Sequence, residues 1–280
     1  MVTSWTFWVV GLVMSGAVAS SAIAADTQDS QAAAPVTATS TAPATTSTSN
    51  TLDLSSLADI DGTFSVAVRD VATGESVSYG TGSYDTASIV KVDIVAALLH
   101  QAQEQGRTLT TRERTLAEAA IERSDNASAT ALFQLIGGEA GLEEFNRLIG
   151  LTDTDVGSNG NWGLTQTTAV DQIRLLQVVF GGDSVLTSES QAYEQSLMAD
   201  VIDTQRFGVS AAADDAAAAA LKVGYLQRSA TGLWDVTSIG EIEAGGSTYL
   251  VAVLSEGNPS YDAGVELVNE VARVAVDAVT

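Results

Sequence analysis

Segments that alternate apolar and polar residues, as half-buried strands do, fall only towards the two ends of the folded stretch, and the residues between them are patterned for helix. Thr63-Phe64-Ser65-Val66-Ala67-Val68 alternates, Ala72-Thr73-Gly74 turns, and Ser76-Val77-Ser78-Tyr79 returns, which predicts a hairpin. Near the other end Leu221 to Leu226, Trp234 to Ile242 and Thr248 to Leu254 read as strands, with Ala244-Gly245-Gly246 turning between the last two. A final amphipathic helix is expected over Val265 to Val279. Strands must pair, so the pattern calls for one antiparallel sheet assembled from both ends of the chain, with a helical block beside it. The fold class is therefore α/β in the α+β sense: five strands flanked by helices, plus an inserted all-α part.

The helical middle is divided by its own breakers. Leu116 to Arg123, Ala127 to Ile136 and Leu142 to Ile149 are separate helices, interrupted by Ser124-Asp125-Asn126 and by Gly137-Gly138. Residues 150–166 read as a polar loop rich in Gly and Asn. Thr167 or Thr168 then caps a helix running to about Phe180, and another spans roughly Ser188 to Val201.

Ahead of the folded part, residues 5–24 are apolar and uncharged and end in Ala22-Ile23-Ala24, a small-x-small cleavage pattern. We read residues 1–24 as a signal peptide, cleaved in preference to being kept as an anchor of about 20 residues. Residues 25–52, rich in Ala, Thr and Ser, cannot bury a core and form a disordered linker. The domain then occupies 53–280, with its sheet part in 53–86 and 216–280 and its helical part in 87–215. An exported, extracytoplasmic protein is expected, attached to a membrane only if the signal stays uncleaved.

A formal net charge of −23 argues against nucleic acid and anionic membrane surfaces as partners, because both need a basic face. Absence of cysteine rules out disulfides, thiolate metal sites and a lipid-modified cysteine. A single histidine, His100, leaves little room for a Ser-His-Asp triad or a histidine metal site, and its place in an apolar run marks it as a packed or partly exposed side chain. Neither a metal nor an organic cofactor is expected, and the chain is read as a monomer.

One short stretch carries chemistry. In Thr86-Ala87-Ser88-Ile89-Val90-Lys91 a hydroxyl and an amine stand three residues apart at the head of an apolar run, Val92, Ile94, Val95, Leu98 and Leu99, with Asp85 or Thr86 as N-cap. On a helix the pair shares a face. A serine hydroxyl must hand its proton to an adjacent base, and a lysine serves as that base only when burial or a second cation lowers its pKa. The cations themselves support this reading, since ten of the twelve are arginine and the two lysines are Lys91 and Lys222. Lysine is kept where a cation must be able to lose its proton.

Lys222 lies in Lys222-Val223-Gly224 on a late strand. Together with Ser88-x-x-Lys91 and Ser124-Asp125-Asn126, in that order, it resembles the three-motif signature of class A β-lactamases and penicillin-binding proteins. The resemblance covers about residues 60–275 and implies the penicillin-recognising serine-hydrolase fold. It implies Ser88 as the acylated nucleophile, Lys91 as its proton acceptor and Ser124 as the relay to the leaving group. Asn126 would bind the substrate's acylamide side chain, Lys222 would supply positive potential for a substrate carboxylate, with Val223 and Gly224 beside it, and the backbone N–H groups of Ser88 and Tyr225 would form the oxyanion hole. The substrate implied is a β-lactam or a D-alanyl peptide of peptidoglycan. A D-alanyl-D-alanine carboxypeptidase and a non-catalytic cell-wall-binding descendant are the alternatives.

The sequence departs from the family in three places. The family's deacylating glutamate belongs in the loop 150–166, which has none; Asn159 and Asn161 are not bases at neutral pH, and Asp153 and Asp155 come too early in the loop. Val223 stands where the family has a hydroxyl residue, removing a hydrogen bond worth about 1–3 kcal/mol. The segment between Lys91 and Ser124 is short for the family, opening one wall of the cleft. Acylation at Ser88 followed by slow release is expected.

Overall fold

The computed structural model describes residues 54–280. The expected signal peptide and the whole of the expected linker lie outside the described residues.

The five-stranded antiparallel sheet predicted from the two ends of the chain is present. Its strands are β1 (Thr63–Asp70), β2 (Ser76–Tyr79), β5 (Ala220–Gln227), β6 (Trp234–Ala244) and β7 (Ser247–Asn258), in the order β2-β1-β7-β6-β5. The join between the two ends is β1 on β7, in register from Thr63 opposite Glu256 to Asp70 opposite Tyr249. Every residue from Tyr249 to Ser255 is buried, so both faces of the sheet centre are covered. Two further strands of two residues each, β3 (Tyr84–Asp85) and β4 (Gln166–Thr167), pair with one another and tie the segment before Ser88 to the end of the loop 150–166.

Among the described residues seven α-helices accompany the sheet: α1 (Val90–Glu104), α2 (Thr111–Glu122), α3 (Asn126–Leu135), α4 (Gly138–Ile149), α5 (Ala169–Phe180), α6 (Ser188–Ala199) and α7 (Tyr261–Asp277). Both α5 and α7 pack against β1, β6 and β7. Side-chain caps fix several starts. Thr110 and Glu113 form a reciprocal capping box at α2, while Asp125, Thr168 and Ser260 each accept a backbone N–H at the heads of α3, α5 and α7. The Ser260 cap starts the last helix four residues ahead of Val265, where the apolar spacing first becomes regular.

Helix α1 is the centre of the molecule. All ten residues from Val90 to Leu99 are buried, so it is a core helix without a solvent face. It therefore carries two charged types, Lys91 and Asp93, into the interior. Asp93 lies near Glu194 of α6, which is fully buried, and beside the amide of Asn146 of α4; both oxygens of Glu194 and Oδ1 of Asp93 lack hydrogen-bond partners. Burial pushes the Asp93 carboxyl up to about 8, against an opposing pull from Asn146, and burial, with Asp93 adding to it, also raises Glu194 well above the usual carboxylate range.

Asp93 is thus a neutral acid in the fold and an anion in the unfolded chain above about pH 4. The stability it contributes is complete below that pH and drains away as the pH rises towards 8. Asp93→Asn, which cannot ionise, should gain on the wild type between pH 4.5 and pH 8 by at least about 1.4 kcal/mol, the worth of one pKa unit, in denaturant unfolding. Parallel pH curves for the two proteins would disprove the assignment.

Candidate active site

Ser88 does not lie in the α-helix proper. It sits in a 3₁₀ turn, Ala87–Ile89, that leads into α1, and neither expected cap operates: Thr86 has helical backbone angles and its hydroxyl is buried without a partner. Asp85 instead turns away to accept a hydrogen bond from Gln166 and to pair with Arg228, whose Nε also holds Asp235 at 2.9 Å. The turn is held from two other directions. Thr237 Oγ1 of β6 lies 3.1 Å from the carbonyl of Thr86 and 3.3 Å from that of Gly224, and β5 comes so close that a Cβ on Gly224 would lie 2.6 Å from Ser88 N and 2.6 Å from Thr86 O. Only glycine allows this approach, which sets Ser88 against the strand bearing Tyr225.

Two of the singled-out side chains, Lys91 and Lys222, meet on a third, Ser124, and Lys91 also reaches Asn126. Lys91 Nζ donates to Ser124 O at 2.7 Å, to Ser124 Oγ at 3.0 Å and to Asn126 Oδ1 at 2.8 Å. Lys222 Nζ donates to the same Ser124 Oγ at 3.0 Å, to Val223 O at 3.0 Å and to Gln205 Oε1 at 3.4 Å. One hydroxyl is therefore shared by two lysines. Asp125, between the two functional residues of its motif, caps α3 by accepting from Ser128 N at 2.7 Å, which fixes Ser124 and Asn126 on either side. The Ser88 hydroxyl itself makes no hydrogen bond to any described residue, and Val223 is buried.

Both amines are starved of water. Burial brings Lys91 down to about 8, with Asp125 pulling weakly the other way, and burial together with the charge of Lys91 takes Lys222 well below the ordinary lysine value. A neutral Lys91 can accept the Ser124 proton while donating to Ser124 O and Asn126 Oδ1, and Lys222 donates from the other side. The motif residues can thus pass a proton along a hydroxyl bridge.

Ser88, Asn126 and Tyr225 line an open groove of about 330 Å³ whose other wall is the loop segment Gly160 to Leu164. Within that wall Trp162 stands with its ring centroid 5.2 Å from Lys91 Nζ and its indole N–H on Thr130 Oγ1 at 3.1 Å. Asp153 and Asp155 lie elsewhere, the backbone of Asp155 being paired with Gln166. Trp162, Gln205 and Thr237 are site residues that the sequence reading did not single out. A tryptophan in a loop of Gly, Asn and Ser is the one signal that pointed at any of them.

The backbone is strained at the same place. Non-glycine residues with positive φ among those described are Ala87, Ser124 and Asn159, at 47°, 56° and 57°, and each belongs to a segment that forms or flanks the site.

The model of the family described as the β-lactamase enzyme family matches residues 49–113 and 110–279. The chain belongs to that family. Among curated relatives, the candidate lipoprotein LppW of Mycobacterium bovis is 32% identical over 154 residues, covering 52% of this chain and 49% of its own, and a carbapenem-hydrolysing β-lactamase, KPC of Klebsiella oxytoca, is 30% identical over 164 residues, covering 50% and 52%. The chain spans about half the length of these relatives. Among solved structures, a class A β-lactamase from Bacteroides cellulosilyticus superposes with a TM-score of 0.69 at 18% identity, over 80% of this chain and 94% of the other, which shows the class A fold. A mutant of the class A β-lactamase of the last common ancestor of Gram-negative bacteria gives 0.65 at 24% identity, over 81% and 98%. No helix among the described residues is long and apolar enough to cross a membrane.

Because the chain has two lysines, its side-chain amines give two NMR resonances, which makes the site directly readable. With lysine labelled at Nζ or Cε, one resonance should titrate near pH 8 and vanish as a separate signal in Lys91→Arg. A midpoint near 10.4, the value of free lysine, would contradict the buried-base geometry.

Proposed function

We propose that the protein is an exported active-site-serine hydrolase that is acylated at Ser88 by β-lactams or related amides and releases the acyl group slowly. The observation that supports this most directly is the pair of lysine amines converging on Ser124 Oγ beside a groove that contains Ser88 and no carboxylate or histidine. Ser88 Oγ attacks the acyl carbon as its proton passes to Lys91. Ser124 then relays a proton to the leaving nitrogen, the C–N bond breaks, and the acyl ester remains on Ser88. The N–H groups of Ser88 and Tyr225 stabilise the oxyanion, a role supported by the close approach of the Ser88 turn to Gly224, the residue before Tyr225. Asn126 holds the acylamide side chain while anchoring Lys91.

Deacylation needs a base to activate water, and the groove wall that could carry one is built of Gly160, Asn161, Trp162, Gly163 and Leu164. An amide, an indole and an aliphatic side chain cannot take a proton at neutral pH. The acyl-enzyme therefore persists. Export is supported by the apolar leader with its Ala-x-Ala end and by the lipoprotein name of a relative, although this chain has no cysteine to carry a lipid.

Intact mass spectrometry of the purified protein with a penicillin, beside Ser88→Ala, tests the reading. A lasting adduct that Ser88→Ala lacks is expected. Its rate of formation should climb with pH and level off near 8, where Lys91 loses its proton. Ser124→Ala, which removes the shared hydroxyl, should slow adduct formation by about 10²–10⁴. An adduct that clears within minutes, with ring-opened drug accumulating, would overturn the slow-release part; no adduct at all would overturn the acylation.

A further inference from the structure

The groove beside Ser88 has an uncharged lining. Its walls are built from side chains such as Asn126, Asn161, Trp162, Leu164 and Tyr225, and none of its lining residues carries a formal charge. A substrate carboxylate bound there would stay without a counter-charge unless a nearby cation had a hydrogen to spare.

No such cation is on offer. Lys222 is fully buried, and its three acceptors, Ser124 Oγ, Val223 O and Gln205 Oε1, use all three hydrogens an ammonium has. Lys91 is likewise occupied by Ser124 O, Ser124 Oγ and Asn126 Oδ1. Arg228, the arginine at the end of β5, is held between Asp85 and Asp235 and lines a different hollow, with Thr231, Leu233 and Glu256. Val223 has no hydroxyl and is buried. At longer range the formal charge of −23 repels an approaching anion, within the screening length of about 8 Å at physiological salt.

What the groove does offer is aromatic surface. Tyr225 is 43% exposed yet held rigidly, its ring edge-on to Tyr261 at 4.9 Å, and Tyr261 is packed in turn on Trp234 at 5.7 Å and Phe207 at 6.2 Å. Trp162 forms part of the loop wall of the same groove. Aromatic faces of this kind favour an apolar or aromatic group on the ligand.

We infer that the acyl donor for Ser88 carries no carboxylate beside the bond that breaks, and is a neutral amide or ester bearing an apolar or aromatic group. The inference rests on the serine acyl-transfer reading above and narrows its substrate. The exchange balances without a carboxylate. Ser88 Oγ bonds to the acyl carbon, the bond from that carbon to the leaving nitrogen or oxygen breaks, and the serine proton reaches the leaving atom by way of Lys91 and Ser124.

The test is a matched pair of acyl donors, benzylpenicillin and its methyl ester, which differ only in the charge at the carboxyl group. Adduct formation on the purified protein is followed by intact mass at low and at physiological salt, with Ser88→Ala as control, and each rate is divided by that compound's own rate of ring opening by hydroxide. The ester should acylate Ser88 at least about tenfold faster than the acid, with a wider gap at low salt. An acid that reacts as fast as the ester, or faster, would overturn this inference and leave the acyl-transfer reading intact. A Ser88-dependent adduct with neither compound would overturn both.

Discussion

Everything chemical in this protein depends on keeping two lysine amines out of water on either side of one serine hydroxyl. In solvent each amine would hold its proton until about pH 10.4, and neither could accept one at neutral pH. The desolvation comes from α1, a helix buried on every side, and from β5, whose glycine lets the strand close over the serine turn. Packing and proton transfer are therefore one property here. The helix whose burial lowers the Lys91 amine is also the helix whose burial raises the Asp93 carboxyl, and the neutral form of each is what burial favours.

The strain in the backbone fits the same account. A serine at φ 56° and an alanine at φ 47° are conformations that a free chain avoids at a cost of about 1–3 kcal/mol each. They survive because the surroundings over-determine them: Asp125 caps α3 next to Ser124, and Thr237 and Gly224 grip the turn that contains Ala87. The hydroxyls are placed by rigid neighbours rather than by their own preferences.

Much of this was legible in the sequence. Four of the five strands, the breaks at Ser124 and Gly137 and the cap at Thr168 stand within a residue or two of their expected places, because each has a local cause in periodicity, capping or glycine; the last strand, expected to end at Leu254, runs on to Asn258. Other features had no local cause to read. Strands β3 and β4 are too short to show alternation and exist only because Tyr84 and Thr167 are brought together by the rest of the fold. Gln205 reaches Lys222 from 17 residues away in the chain, and Trp162 reaches Lys91 across the groove. Ser88 falls in a 3₁₀ turn instead of the helix because the positive φ of Ala87 delays the start of α1.

The pairing of β1 with β7 has a consequence for how the molecule comes into being. Residue 64 finds its partner at residue 255, so the sheet cannot close until nearly the whole domain is present. Such non-local pairing is slow and cannot begin at the front of an emerging chain. The helices can form early, but the floor on which α5 and α7 rest is the last thing to be completed. A polypeptide built this way stays unpaired at its front end while it emerges, and Ser88, Lys91, Ser124 and Lys222 come together only after the final strand has arrived.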